Sequence, residues 1–234
     1  MTLEVKNLKV EYKELVAVSN INFSIEESKI TSIIGANGVG KSSIIKGLMG
    51  IVTPTRGEVV YKGNNLLKTP PNKMNKIGIS LCPEGRQLFP DMTVQENLEM
   101  GAFSRKDKYI TKDLEEVYEQ FTILSQRKNQ KASTLSGGEQ ELLAIARSLM
   151  SNPDLLILDE PSWGLAPVMI NEVVEIIKSI NKKGTTILLI EQNANIALKI
   201  SDYAYVLTSN GFAIEGSGED LLNNEEVRNV YLGT

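Results

Sequence analysis

Ile30-Thr31-Ser32-Ile33-Ile34 carries no charge and runs straight into Gly35-Ala36-Asn37-Gly38-Val39-Gly40-Lys41-Ser42, after which the pattern turns helical to about Met49. A buried strand, a glycine loop and a helix start are what G-x-x-x-x-G-K-[ST] needs in order to work. The glycines let backbone N–H groups close around phosphate oxygens, and the helix turns its positive end on the same anion. Lys41 is then placed to neutralise the β- and γ-phosphates, and Ser42 to offer a hydroxyl to Mg²⁺. A glycine turn that matched by chance would lack the flanking strand and helix. This one feature predicts an α/β core and a nucleoside triphosphate.

A second apolar run, Leu155-Leu156-Ile157-Leu158, ends on Asp159-Glu160. A carboxylate at the carboxyl end of a buried strand stands where open α/β sheets bind their ligands, so Asp159 is a magnesium candidate. Glu160, one residue on, is the candidate acceptor that orients the attacking water. Upstream lies Leu135-Ser136-Gly137-Gly138-Glu139-Gln140. Ser136 and Gly138 at a helix start repeat the logic of the first loop: free N–H donors, a small hydroxyl and a helix dipole. As an isolated tetrapeptide, Ser136 to Glu139 is a plain helix capping box. One nucleotide does not need two anion cradles, and the economical reading gives the second to a nucleotide on another subunit.

The rest of the chain fits around these strings. Leu3, Val5, Leu8 and Val10, then Ile21, Phe23 and Ile25, recur among polar residues and predict antiparallel strands. Gly57 to Tyr61 and Ile77 to Leu81 are further strand candidates. Between residues 85 and 153 the pattern is helical: Thr93 with Glu96 and Ser136 with Glu139 fit capping boxes, and Leu114, Val117, Tyr118 and Phe121 follow helical spacing. Strand–helix alternation then resumes. It gives strands at Leu155 to Leu158, Thr185 to Ile190, Tyr203 to Leu207 and Phe212 to Glu215, and helices at Pro167 to Lys182 and Asn193 to Ile200. Glu219 to Tyr231 reads as a short terminal helical segment. The expected division is a core with a β subdomain from 1–84 and 154–234, and a helical subdomain over 85–153.

Bulk composition narrows the partners. A net charge of −4 over 234 residues argues against a nucleic-acid binder. One cysteine, Cys82, excludes an internal disulfide. No apolar run approaches the roughly 20 residues of a membrane helix, so work at a membrane would need a membrane-spanning partner.

With all three strings in order, the chain resembles the ATP-binding subunits of ABC transporters over its whole length. The resemblance implies a P-loop (RecA-like) core with an N-terminal antiparallel β subdomain and an inserted α-helical subdomain. It implies ATP and Mg²⁺ as ligands, and ATP hydrolysis coupled to transport. Residues Gly35, Asn37, Gly38, Gly40, Lys41, Ser42 and Ser43 would bind the nucleotide, with Tyr12 stacking on adenine. Ser136 and Gly138 would serve a partner's γ-phosphate. Ser42, Glu84 and Asp159 would hold the metal, and Glu160, Gln192 and Glu84 would act in hydrolysis.

Three departures from the family pattern single out a subgroup. Glu84 of Pro83-Glu84-Gly85-Arg86 replaces the usual glutamine. Gln192 of Ile190-Glu191-Gln192-Asn193 replaces a histidine, in a chain with no histidine at all. Ala166 replaces the aspartate that usually ends the loop after Glu160, and Trp163 stands in that loop with no role the resemblance supplies. Together with Glu215-Gly216, Glu225, Val227, Tyr231, Leu232 and Gly233, these strings resemble the ATPase of branched-chain amino-acid importers. The implied partners are permease subunits, a second related ATPase or a second copy, and indirectly a solute-binding protein. The implied location is the cytoplasmic face of the membrane, with peripheral attachment. Glutamine can donate a hydrogen bond to the γ-phosphate but carries no charge, so slower turnover is expected. The competing readings are another ABC importer or exporter, a soluble ABC ATPase acting on nucleic acid or ribosomes, and a nucleotide-gated module without turnover. A soluble enzyme of that kind would show two cassettes, a coiled-coil insertion or basic extensions, none of which is visible.

Overall fold

A computed structural model describes residues 2–13 and 15–229. The chain forms two compact units, residues 1–74 with 186–234, and residues 75–185.

In the first unit, β1 (Leu3–Tyr12) and β2 (Leu15–Ile25) pair antiparallel, and β4 (Arg56–Tyr61) with β5 (Asn64–Asn65) extends them in the order β2-β1-β4-β5. The buried side chains are those the alternation named: Leu3, Val5, Leu8, Val10, Ile21, Phe23 and Ile25. Burying each contributes about 1.5–3 kcal/mol relative to leaving it in water. The alternation slips by one residue between Val5 and Leu8, and the structure gives the reason. Asn7 takes φ 49° at a register shift, and its N–H donates to Asn22 Oδ1 at 2.8 Å. This is a β-bulge: the extra residue is absorbed so that Val5 and Leu8 face the same side. Asn20, at φ 55°, lies in the matching gap between Val18 and Ile21.

The same unit holds β3 (Ile30–Ile34), β8 (Thr186–Glu191), β9 (Tyr203–Thr208) and β10 (Gly211–Gly216) in the order β10-β9-β3-β8. β3 runs parallel to both β8 and β9, and every residue of β3 and β8 is buried. A strand flanked by parallel neighbours and covered on both faces reads as a continuous apolar run, which is why Ile30 to Ile34 shows no alternation. α1 (Lys41–Leu48) follows β3 and buries Ile44, Ile45 and Leu48. α7 (Ala194–Ile200) follows β8, with Asn193 Oδ1 accepting from Ile196 N–H at 3.2 Å as its cap.

In the second unit, β6 (Ile79–Cys82) and β7 (Leu155–Asp159) pair in parallel. Around them lie α2 (Val94–Gly101), α3 (Ile110–Gln120), α4 (Thr122–Gln126), α5 (Gly137–Leu149) and α6 (Pro167–Lys182). Both predicted capping boxes form, Thr93 with Glu96 and Ser136 with Glu139. Asn97, fully buried, donates to the carbonyls of Phe89 and Thr93 at 3.0 Å and accepts from Phe89 N–H, which fixes the approach to α2.

The terminal segment is broken rather than continuous. α8 (Gly218–Asn223) stops at Asn224, whose side chain caps the short α9 (Glu225–Val227). Tyr231, Leu232 and Gly233 lie outside the described residues. Among the described residues no helix is long and apolar enough to cross a membrane.

Candidate nucleotide site

In the first unit, β3 delivers the chain to Gly35, where a Cβ would lie 2.6 Å from the Leu207 carbonyl oxygen. Gly38 and Gly40 both take positive φ, 82° and 105°. Gly40 is doubly constrained, since a Cβ there would collide with Val18 Cγ1 and lie 2.8 Å from the Ala17 oxygen. The loop therefore closes directly beneath the β1–β2 hairpin. Lys41 is 4% exposed, and its Nζ donates to the carbonyls of Gly35 at 2.7 Å and Ala36 at 3.1 Å. Those bonds draw the lysine back across its own loop. α1 begins at Gly40 with no side-chain cap, unlike α2, α5 and α7. An uncapped first turn leaves N–H donors and the positive helix end for an outside anion. Ser42 and Ser43 occupy that first turn, half-buried, with Asn37 exposed on the loop.

Two further residues stand on the elements around this loop. Ile34 stands opposite Glu191 in the β3–β8 pairing, so Gly35 and Gln192 leave adjacent strands at the same height. Gln192 is exposed there, ahead of the Asn193 cap. Tyr12 ends β1 opposite Leu15, on the hairpin end whose Ala17 and Val18 overlie Gly40. Tyr12 is 38% exposed, which leaves it open to stacking.

In the second unit, Cys82 of β6 pairs with Leu158 of β7. Pro83-Glu84 and Asp159-Glu160 therefore step off neighbouring strands together. Asp159 is 9% exposed, whereas Glu84 is exposed. Glu160 takes φ 51°, a left-handed conformation uncommon for a residue with a side chain. Burial, reinforced by the Glu141 carboxylate, pushes the Cys82 thiol up to about 12.

Ser136 begins α5 with its Oγ accepting from Glu139 N–H and its own N–H donating to Glu139 Oε2 at 2.8 Å. The box satisfies those two donors and leaves the first-turn N–H groups of Gly137 and Gly138 facing outward from the helix end. Ser136 and Gly137 are exposed. Gly138 is buried beneath Met169 of α6, and a Cβ there would lie 2.6 Å from Met169 Cε.

The sequence profile of the ABC transporter family matches residues 18–163, the span from the hairpin over Gly40 to the loop after Glu160. The chain belongs to the ABC transporter ATP-binding family. The cassette is 43% identical over 223 residues to the high-affinity branched-chain amino acid transport ATP-binding protein BraG of Pseudomonas aeruginosa, covering 95% of each chain. Its fold is similar to the ADP conformation of MJ1267, an ATP-binding cassette of an ABC transporter (TM-score 0.88, 27% identity, 100% and 99% coverage). It is also similar to a dimeric post-hydrolysis state of the cassette MJ0796 bound to ADP and Pi (TM-score 0.82, 26% identity, 92% and 98% coverage). The cassette is an ATPase with a P-loop core, an N-terminal antiparallel sheet and an inserted helical region.

Arg86 does more than close the string Pro83-Glu84-Gly85-Arg86. The cassette folds Gly85, Arg86 and Gln87 through three successive positive φ angles, 76°, 65° and 42°. This turn carries the Arg86 guanidinium to α5, where Nε lies 3.4 Å from Glu141 Oε2 and Nη1 3.4 Å from Gln140 Oε1. Arg147 of α5 donates to the Arg86 carbonyl at 3.2 Å and stacks over Phe89, 5.5 Å from the ring centroid. One signal was available. Glu141 falls among Leu142, Leu143 and Ile145, and a carboxylate in an apolar helix stripe requires a counter-cation.

Proposed function

We propose that this cassette is the ATP-hydrolysing subunit of a membrane importer for branched-chain amino acids, attached peripherally at the cytoplasmic face and working as one of a pair of cassettes. The observation that carries the pairing is the exposed start of α5, a second anion cradle in a chain that needs one for its own nucleotide. The likeness to BraG across nearly the whole chain supports the substrate class. The helical segment 85–153 is the part proposed to meet the permease. Phe103 and Tyr109, 83% and 54% exposed after α2, and Phe89 before it give that segment the apolar surface a partner would cover.

Each residue keeps the role its environment suits. The loop from Gly35 to Ser43 wraps the phosphates of ATP with backbone N–H groups, and Lys41 exchanges its loop carbonyls for phosphate oxygens. Tyr12 stacks on the adenine. Gln192 donates its amide to the γ-phosphate. Ser42, Asp159 and Glu84 present only oxygen donors, the set a hard cation prefers, which fits magnesium. Magnesium, when bound, neutralises charge that builds on the phosphate oxygens. Glu160 accepts a proton from the attacking water and so aligns it. Ser136 and Gly138 close on the γ-phosphate held by the partner cassette, so ATP joins the two and hydrolysis releases them. A second related ATPase or a second copy fills the partner's place, and a solute-binding protein delivers the amino acid to the permeases.

Reconstitution of the cassette with its permeases in proteoliposomes tests this reading. ATP enclosed with the cassette should drive uptake of radiolabelled leucine, isoleucine or valine in the presence of the binding protein. Lys41→Ala should abolish that uptake. ATP turnover that no branched-chain amino acid stimulates, in vesicles that accumulate none, would overturn the substrate assignment.

A further inference from the structure

We propose that Arg86 is a positioning residue for the start of α5, carrying the position of the Glu84 loop to the helix end that meets the partner's γ-phosphate. The proposal rests on the reading of that helix end as a shared phosphate cradle.

The geometry is local to one unit. Arg86 touches Gly137, Gln140 and Glu141, which are i, i+3 and i+4 on α5 and form one face of its first turn and a half. Its Nη2 would lie 3.3 Å from a Cβ at Gly137, so the guanidinium rests directly against the first helical residue. Glu141 is 6% exposed, so the charge pair it makes with Arg86 is largely desolvated. Other contacts hold the same turn: Glu139 pairs with Arg127 at 2.9 Å, Gln140 Nε2 donates to the Ala132 and Leu135 carbonyls at 3.3 and 3.1 Å, and Met169 packs on Gly138. These fix the start of α5 to its own surroundings. The Arg86 side chain ties that start to the segment that leaves β6 with Glu84, and Arg147, further along α5, holds the same segment by its backbone.

That segment is stiff. Gln87 N–H bonds Gly85 O at 2.6 Å, Gln87 Nε2 bonds Glu84 O at 3.3 Å, and Arg147 holds the Arg86 carbonyl. Arg86 and Gln87 both adopt positive φ despite having side chains. Such a conformation persists only where its surroundings over-determine it. A displacement of Glu84 is therefore passed to Arg86 rather than absorbed between them. The guanidinium also adds a permanent positive charge beside the positive helix end, which favours an anion docking there.

The test compares Arg86→Ala, Arg86→Lys and Glu141→Gln in the full chain with its partners. ATP affinity of the isolated cassette should stay within about twofold, since its own P-loop is untouched. In a Glu160→Gln background, ATP-driven association of cassettes should weaken by about tenfold or more in Arg86→Ala, the size of a lost charge-assisted hydrogen bond. Turnover should show kcat down by a similar factor with KM for ATP scarcely moved. Arg86→Lys should recover part of the loss, because it restores charge without the planar fork. Glu141→Gln loosens the same grip while keeping the guanidinium, and decides the matter if Arg86→Ala does not fold. Association and kcat at wild-type levels in Arg86→Ala, or in Glu141→Gln when only that variant folds, would overturn the proposal, as would a lowered melting temperature with no change in kcat. Ser136→Arg separates the two levels. If it too leaves association intact, the shared-cradle reading has failed. If it abolishes association while Arg86→Ala does not, only the role of Arg86 has failed.

Discussion

Ile34 and Glu191 lie opposite each other where β3 and β8 run in parallel, and this pairing puts Gln192 beside the entry to the phosphate loop. An amide there can donate a hydrogen bond but cannot carry charge. Gln192→His is therefore expected to keep or raise phosphate release, and Gln192→Ala to lower it by about tenfold or more, as for loss of one preorganised donor. A steady-state assay with the partner subunits present measures both. An alanine variant with the parent's rate would make Gln192 a bystander.

Lys41 and Glu160 should separate binding from chemistry. Lys41 is a buried cation held by loop carbonyls, so Lys41→Ala removes a ground-state phosphate contact. Nucleotide affinity should fall by roughly 10- to 100-fold, the range for a hydrogen bond to a charged group. Glu160→Gln keeps the shape of the loop and should bind ATP normally while turnover drops by roughly 10²–10⁴-fold. Equilibrium binding of a fluorescent ATP analogue, paired with phosphate release, distinguishes the two. Near-normal release from the glutamine variant removes Glu160 as base.

Trp163, the only tryptophan, is 57% exposed in the loop after Glu160, with its backbone N–H donating to the Glu160 carbonyl at 3.0 Å. Val168, at the start of α6, is 77% exposed. Aromatic rings at such places tend to be covered on association. In Glu160→Gln protein, magnesium-ATP should shift the tryptophan emission, ADP should shift it less, and the change should grow with the concentration of cassette or partner. A response independent of protein concentration and equal for both nucleotides would mean that the loop folds onto its own unit.

Cys82 makes a reporter of opening. Its folded thiol is raised from an ordinary value of 9.0 to about 12 by burial first, and the Glu141 carboxylate adds to this. A raised thiol is neutral in the fold, while the unfolded chain releases its proton near pH 9. Stability from this group is therefore complete below pH 9 and declines between 9 and 12. At pH 8 the native protein should resist iodoacetamide, and labelling should follow the unfolded fraction across a urea titration. Rapid labelling of folded protein at pH 8 would show that β6 opens locally in front of Glu84.

Much of this arrangement was legible because single residues obey one local rule. Ile30 to Ile34 had to be a covered strand, and Thr93 and Ser136 had to cap helices. Other features depend on contacts that a linear pattern does not carry. The bulge at Asn7 shows in sequence only as a skipped position, and its meaning comes from Asn22 on the next strand. The placement of Gln192 follows from strand register, which the residues of β8 do not specify alone. Arg86 looked like a neighbour of Glu84 until three left-handed residues turned it onto α5. Short 3₁₀ turns at 66–68, 71–73 and 75–77 left no periodic signal to read.

The backbone of Glu160 has a further consequence. At φ 51° it bears a cost of about 1–3 kcal/mol that a glycine would not. Under the role proposed for Glu160, glycine at this one position would give a sturdier fold and an idle enzyme. A lineage selected only for thermal robustness would then drift toward losing turnover, the one demand on that proposal that favours a carboxylate where the backbone would rather have none.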